Sequence, residues 1–214
     1  MPDENSPPKK GIGDTLLLAC GALAHDIIAL NKANGWDCFT VDCIPASVHF
    51  TPEKIPGAVR EKIQRARGQF REIYVLFGDC GTAGDLDVVL EEEGVERIAG
   101  PHCFSFLAGN DDFDVMANGD GVSAFYLSDF MVKHFDAFLW KGLWLDKHPE
   151  LIEMYFANYT KVIHTAQVKD EALQARAREC AEKLGLDYEY RFTGYGDLSG
   201  FMRNAVPITN VTNP

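Results

Sequence analysis

Short apolar runs alternate along this chain with amphipathic stretches of helical period. Residues 15–19 form one such run, bounded by Gly13 and by Cys20-Gly21, and read as a buried strand. Residues 22–34 then place Leu23, Ile27, Ile28 and Leu30 at helical spacing and stop at Asn34-Gly35. The pattern predicts a second strand over 37–44, a charged helix over 56–68 with Val59 and Ile63 on one face, and a third strand over 72–77. A glycine-rich turn over 78–85 leads into a helix over 86–93, and a fourth strand over 95–99 ends at Gly100-Pro101-His102-Cys103. The alternation resumes with a strand over 161–166, a helix over 170–184 and a strand over 186–192.

Strands that alternate with helices predict an α/β fold, a single Rossmann-like domain with a mostly parallel sheet and helices on both faces. Between its halves, residues 109–159 carry Phe125, Tyr126, Phe130, Phe135, Phe138, Trp140 and Trp144, and read as an aromatic helical insertion over the carboxyl edge of the sheet. The expected organisation is a flexible tail over 1–13, one domain over 14–204 and an irregular tail over 205–214. A chain of 214 residues with 46% hydrophobic content is long enough for one well-buried core and short for two.

Charge narrows the partners. A net charge of −12 and a pI near 4.9 leave no clustered Lys and Arg for phosphate backbones or anionic membrane surfaces, so no nucleic acid and no membrane are expected. The longest aromatic stretch, 125–145, is interrupted by Asp129, Lys133, His134, Asp136 and Lys141, and falls short of the ~20 apolar residues of a membrane span. The first ten residues hold three prolines and no apolar run, unlike a secretion signal. The expected compartment is therefore cytoplasmic, where six cysteines serve as thiols or metal ligands rather than as disulfides.

Cys20, Cys80 and Cys103 each follow a predicted strand. If those strands run parallel in one sheet, their carboxyl ends open onto one crevice, where ligands of such sheets bind. With His102 they form a set of soft sulfur and imidazole donors, Cys20, Cys80, His102 and Cys103, suited to zinc or, as an alternative, to an iron–sulfur cluster. The absence of any CxxC spacing weighs against the cluster. Cys43 ends the second strand and is a further donor; Cys38 and Cys180 read as packing residues.

The turn over 78–85 places Cys80 before a helix start, whose positive end is expected to lower the thiol pKa and make Cys80 a catalytic nucleophile, with His102 as acid or base. Gly78, Gly81, Thr82 and Gly84 of the same turn offer backbone to a cofactor, although the spacing matches neither a P-loop nor a dinucleotide fingerprint. Tyr195, in Thr193-Gly194-Tyr195-Gly196-Asp197, is expected to touch a ligand at the end of the last strand, with Asp197 orienting it. Asp129, His134, Asp136, Asp146 and His148 form a second cluster, read as structural because Asp129 and His134 do not share a helical face. The acidic run Asp111, Asp112, Asp114 and Asp120 lacks the calcium-loop pattern at Met116 and Ala117.

The ordered segments Ala19-Cys20-Gly21-Ala22-Leu23, Gly78-Asp79-Cys80-Gly81-Thr82, Gly100-Pro101-His102-Cys103, Tyr126-Leu127-Ser128-Asp129-Phe130, Asp146-Lys147-His148-Pro149-Glu150-Leu151 and Thr193-Gly194-Tyr195-Gly196-Asp197-Leu198 carry a resemblance. Over residues 16–201 the chain resembles domain-of-unknown-function family 1638, a small bacterial and archaeal family. Its members often stand beside genes for corrinoid-dependent methyltransferases, which implies a role in methyl transfer or its accessory machinery. The resemblance marks Cys20, Cys80, His102 and Cys103 as the candidate site; Phe104-Ser105 stand where a tyrosine and an acidic residue are expected. It implies a metal- or cofactor-binding protein whose partner is a small-molecule substrate or a corrinoid or methyltransferase protein. Two alternatives stay open: a non-catalytic module for a small methylated compound or a corrinoid partner, and a metal-free thiol enzyme working through Cys80.

Overall fold

A computed structural model describes residues 14–119 and 121–207; the predicted tail over 1–13, Asp120 and residues 208–214 of the predicted second tail lie outside them. The first apolar run becomes β1 (Thr15–Cys20), with all six residues buried. A strand hidden on both faces needs a covering layer on each side. A 3-10 turn, Gly21–Leu23, leads into α1 (Ala24–Asn34), which stops where Gly35 adopts the left-handed conformation. β2 (Phe39–Ile44) then pairs in parallel along one side of β1, Thr15 opposite Phe39 and Cys20 opposite Ile44. The amphipathic α2 (Ile55–Ala66) buries Val59 and Ile63, as its spacing predicts, and carries the chain back to the other side of β1, where β3 (Glu72–Leu76) pairs. After α3 (Asp85–Glu93) comes a two-residue β4 (Glu96–Arg97) beside β3.

The first sheet therefore has the order β2-β1-β3-β4 with every pair parallel. The chain leaves β1 in one direction and returns in the other, so the connections diverge between β1 and β3. In open parallel sheets that switch point, outside the carboxyl ends of the strands, is where ligands bind.

The later strands form a second parallel sheet in place of an extension of the first: β5 (Ala124–Ser128), β6 (Lys161–Ala166) and β7 (Asp187–Phe192), in that order. The stretch 109–159 is largely helical, with α5 (Asn110–Asn118), α6 (Asp129–Lys133), a π-helical turn at Phe135–Trp140 and α7 (Leu151–Phe156), after α4 (Cys103–Ala108). It also supplies β5, which the aromatic pattern concealed: a five-residue strand that opens on the unbroken apolar and aromatic run Ala124-Phe125-Tyr126-Leu127 has no alternation to separate it from a buried helix. α8 (Glu171–Leu184) is capped by Asp170, whose Oδ1 accepts the Ala172 and Leu173 amides at 2.8 and 3.1 Å. α9 (Gly196–Asn204) follows β7 and starts within the glycine-containing segment that carries Tyr195.

Two parallel sheets with their helices make a Rossmann-like α/β fold. One core gathers Leu17, Leu18, Ile55, Ile63, Leu76 and Phe77 around the first sheet, and a second gathers Leu127, Val132, Phe135, Val162 and Ala177 around the other. A small cluster joins Ala108 and Phe113, which precede the second sheet, to Ala124 and Ile163 within it. Cys38 and Cys180 are buried, as packing residues are. Among the described residues no helix is long and apolar enough to cross a membrane.

Candidate functional site

β1 ends at Cys20, 2% exposed, whose Sγ accepts the Ala22 amide at 3.4 Å and so caps the 3-10 turn. Cys80 lies beyond β3, on the other side of the switch point. Its position follows from Gly78: a Cβ there would stand 2.5 Å from the Cα of His102, so only glycine lets the two loops touch. The contact is fixed by Asp79 N–H donating to the Gly100 carbonyl at 3.2 Å and Cys80 N–H to the Pro101 carbonyl at 2.8 Å. The backbone N–H groups of Gly78 and Cys103 stand beside the Cys80 thiol and favour its charged form. Cys20 and Cys103 each lie within electrostatic reach of Cys80 and, from Cys103, of each other. Cys80 also has a φ of 52°, a left-handed conformation that costs a residue with a Cβ about 1–2 kcal/mol. Strain held at a reactive side chain is a mark of functional sites.

Burial sets the protonation of these thiols. It pushes Cys20 up to about 12 and Cys80 up to about 11, and it raises Cys103 well above the ordinary thiol value. The expectation of a helix-activated thiolate at Cys80 is thereby corrected, because desolvation outweighs the two amides on its sulfur and α3 begins only at Asp85. All six cysteines are free. Cys43, at the end of β2, is half-buried and also raised, by burial first and then by the Asp42 charge.

His49 brings an imidazole against Cys20. Its Nδ1 lies 3.9 Å from Cys20 Sγ and donates to the Ala46 carbonyl at 2.9 Å, which leaves Nε2 as the unprotonated nitrogen. Its ring stacks on Phe77, and burial lowers its pKa, so it is neutral. His102 is placed differently. Its ring packs edge-on against Phe113 at 4.9 Å and lines a neighbouring cavity with Phe104 and Tyr126; its Nδ1 is buried without a hydrogen-bond partner among the described residues. Among the described residues no group of three or more His, Cys, Asp or Glu side chains is disposed to hold a metal ion. The donor chemistry suits a soft metal, while the side chains would have to draw together to reach one.

The glycine-rich turn binds its own anion. Asp79 accepts the Gly84 amide at 2.8 Å, the Ala83 amide at 3.2 Å and the Thr82 hydroxyl at 2.7 Å, and these bonds hold its carboxyl below the usual range. Thr82 is buried beneath it, and Gly81 stands over Pro52. Asp197 likewise turns away from any ligand and accepts the backbone and side-chain N–H groups of Asn110 at 2.8 and 2.9 Å.

Two cavities occupy the space between the carboxyl ends of the two sheets. One, of about 190 Å³, is lined by His49, Cys103, Phe104, Phe138 and Met131 and is nearly all apolar. The other, of about 200 Å³, is lined by His25, Asp26, Asp129, Lys133, Val168 and Tyr195. Ala22 and Phe130 form walls of both.

Asp129 is buried at the start of α6. Its Oδ1 accepts His164 Nε2 at 2.8 Å, and its Oδ2 accepts the Gln167 and Val168 amides, each at 3.0 Å. Burial, and then the charge of Asp129, raise Asp26 to about 7 against the opposing charge of Lys133. Asp26, His49, Lys133 and His164 were not singled out by sequence. The one available signal was His25-Asp26 in the first turn after Cys20-Gly21, at a switch-point helix. The other members of the second predicted cluster scatter over the surface: Asp136 pairs with Arg176 and Lys183, and His148 with Glu150.

Residues 43–202 match the model of a family described as a protein of unknown function (DUF1638). No curated protein and no solved structure matches the chain.

Proposed function

The chain belongs to the DUF1638 family, whose membership assigns no reaction, and from the thiol geometry we propose a metal-binding protein of corrinoid-linked methyl transfer with its centre at Cys20, Cys80 and Cys103. The observation that carries the reading is the mutual electrostatic reach of three neutral thiols, Cys20 buried and Cys80 and Cys103 half-buried, at a switch point. As thiols they gain little from being neighbours, since S–H is a weak donor. A divalent cation among them would stabilise every thiolate at once. Zinc is the ion proposed, ahead of an iron–sulfur cluster, because clusters take four cysteines; bound there, it would supply thiolate at neutral pH.

This chain's own part is to position and steady the sulfurs. The Gly78 and Cys103 amides beside Cys80 would support its charge as the proton leaves. His49 offers a neutral imidazole beside Cys20, and His102 one whose Nδ1 lacks a partner. The reducing state such thiols need fits a cytoplasmic protein, and the cavities suit a small-molecule substrate rather than a nucleic acid. The link to corrinoid chemistry rests on the resemblance alone.

A second reading has its own support. The absence of a preformed three-ligand group among the described residues favours a metal-free cleft, either a module for a small methylated compound or corrinoid partner, or a thiol enzyme using Cys80. Elemental analysis of protein purified without oxygen separates these. The metal reading expects about one zinc per chain and its loss in Cys80→Ser. Stoichiometric metal in that variant removes Cys80 from the centre, and metal-free protein transfers the case to the second reading.

A further inference from the structure

The two cavities between the sheets differ in kind and share a wall. Beside the thiols the lining is apolar, from Phe104, Met131 and Phe138; across Ala22 and Phe130 it turns polar, with Asp26, Asp129 and Tyr195. Asp26 also lies within electrostatic reach of Cys103, which ties the polar chamber to the thiol end.

Within the polar chamber the two carboxylates have unlike duties. Both oxygens of Asp129 are committed, to His164 and to the amides of Gln167 and Val168. Asp26 is half-buried on α1 and makes no hydrogen bond to the protein among the described residues. Its carboxyl is therefore open to a donor that a ligand brings into the chamber. An anion is disfavoured by the same pair of acids, because Lys133, the cation facing them, is exposed at the rim. A metal ion would need more donors than this chamber supplies. Tyr195 and Phe130 add aromatic surface to the wall, which favours a positive head over a neutral one.

We infer that the polar chamber is the subsite for the head of a small organic cation bearing N–H groups, held by Asp26, whose hydrocarbon end lies in the apolar chamber toward Cys103. This deepens the thiol-centre reading by naming a substrate class, and it rests on that reading only for what happens at the hydrocarbon end. The groups that face Asp26 are His25 on α1, Asp129 and Lys133 on α6, Tyr195 before α9 and Cys103 on α4. Burial and the Asp129 charge hold the Asp26 carboxyl at about 7, so a cation must displace its proton in mildly acidic solution. Affinity therefore falls as the pH drops below neutrality.

The test uses the full chain and four probes: butylammonium, tetramethylammonium, butanol and butyrate, titrated by calorimetry or by protein NMR. Saturable binding of butylammonium ahead of the other three is expected, weakening at acid pH and by about ten- to a hundredfold in Asp26→Asn, the worth of a hydrogen bond to a charged group. Unchanged binding in Asp26→Asn overturns the inference. So does equal or tighter binding of butyrate or butanol, or no saturable binding of butylammonium. Tetramethylammonium binding as tightly would replace N–H recognition by aromatic contact alone and overturn it equally. Metal content is read on the same preparations: Asp26→Asn should keep what wild type holds, and Cys80→Ser should keep butylammonium binding. Failure of the metal reading thus leaves the amine result standing, and the reverse.

Discussion

Asp129→Ala is expected to lower the free energy of unfolding by about 3–5 kcal/mol, the cost of leaving three buried donors without their acceptor. The side chain is 3% exposed and its partner His164 is wholly buried. Three donors converge on its two oxygens, and the Asp129 amide is taken by Gln167 Oε1 at 2.9 Å, so the start of α6 and the end of β6 are stitched both ways. Alanine leaves the Gln167 and Val168 amides and the His164 ring without an acceptor in a place water reaches poorly. Urea unfolding of wild type and variant measures the loss. A loss under about 1 kcal/mol would mean water replaces the carboxylate freely, contrary to a buried network. Asp129→Asn keeps the shape but turns an amide nitrogen toward donors, so it should fall between the two.

Asp26→Asn is expected to stabilise the protein by about 2–4 kcal/mol above neutral pH and to change little near pH 4. The sign follows from the raised carboxyl. In the folded chain it ionises at about 7, mainly because burial disfavours its charge, whereas in the unfolded chain it ionises in the ordinary carboxylate range. Between those values unfolding releases a proton, so wild-type stability from this group is full below the unfolded value and is lost as the pH rises through about 7. Asparagine carries no such proton and removes the slope. Denaturant midpoints across that range test it; parallel curves for the two proteins would show that Asp26 ionises alike in both states. A residue that weakens the fold at working pH, and that nothing in the fold needs, is what a ligand-binding role leaves behind.

The first half of the fold was legible because its elements carry separable periods. β1 is a pure apolar run, α2 shows Val59 and Ile63 at helical spacing, and glycines mark the ends of α1 and α8. The bounds of β6 and the extent of α8 were readable for the same reason. β5 was not, because its residues sit among aromatic helices that are equally apolar. With β5 hidden, nothing in the pattern placed Asp129, the first residue of α6, directly after a strand and within reach of His164 on β6. The second sheet could not be foreseen either, since strand order depends on which crossovers pack, and local sequence does not record that.

The site was half legible. Cysteine after strand, glycine after cysteine, suggested a shared crevice for Cys20 and Cys80, and the strands they follow, β1 and β3, are neighbours in the sheet. What spacing alone misjudged was direction. His102 follows a turn whose contact with Gly78 sends its ring toward Phe113, and Asp79 fills the loop that seemed open to an anion. Burial, invisible in a motif, reversed the expected pKa of Cys80.

The central claim is that the three thiols act as one centre, and cadmium titration of the metal-free, reduced protein tests it most directly. The account predicts saturation at about one ion per chain, with a thiolate-to-metal charge-transfer band and proton release, because thiols held neutral by burial must deprotonate to bind. Cys20→Ser, Cys80→Ser and Cys103→Ser should each reduce that band. Non-saturating uptake, or a band that survives all three substitutions, would contradict it.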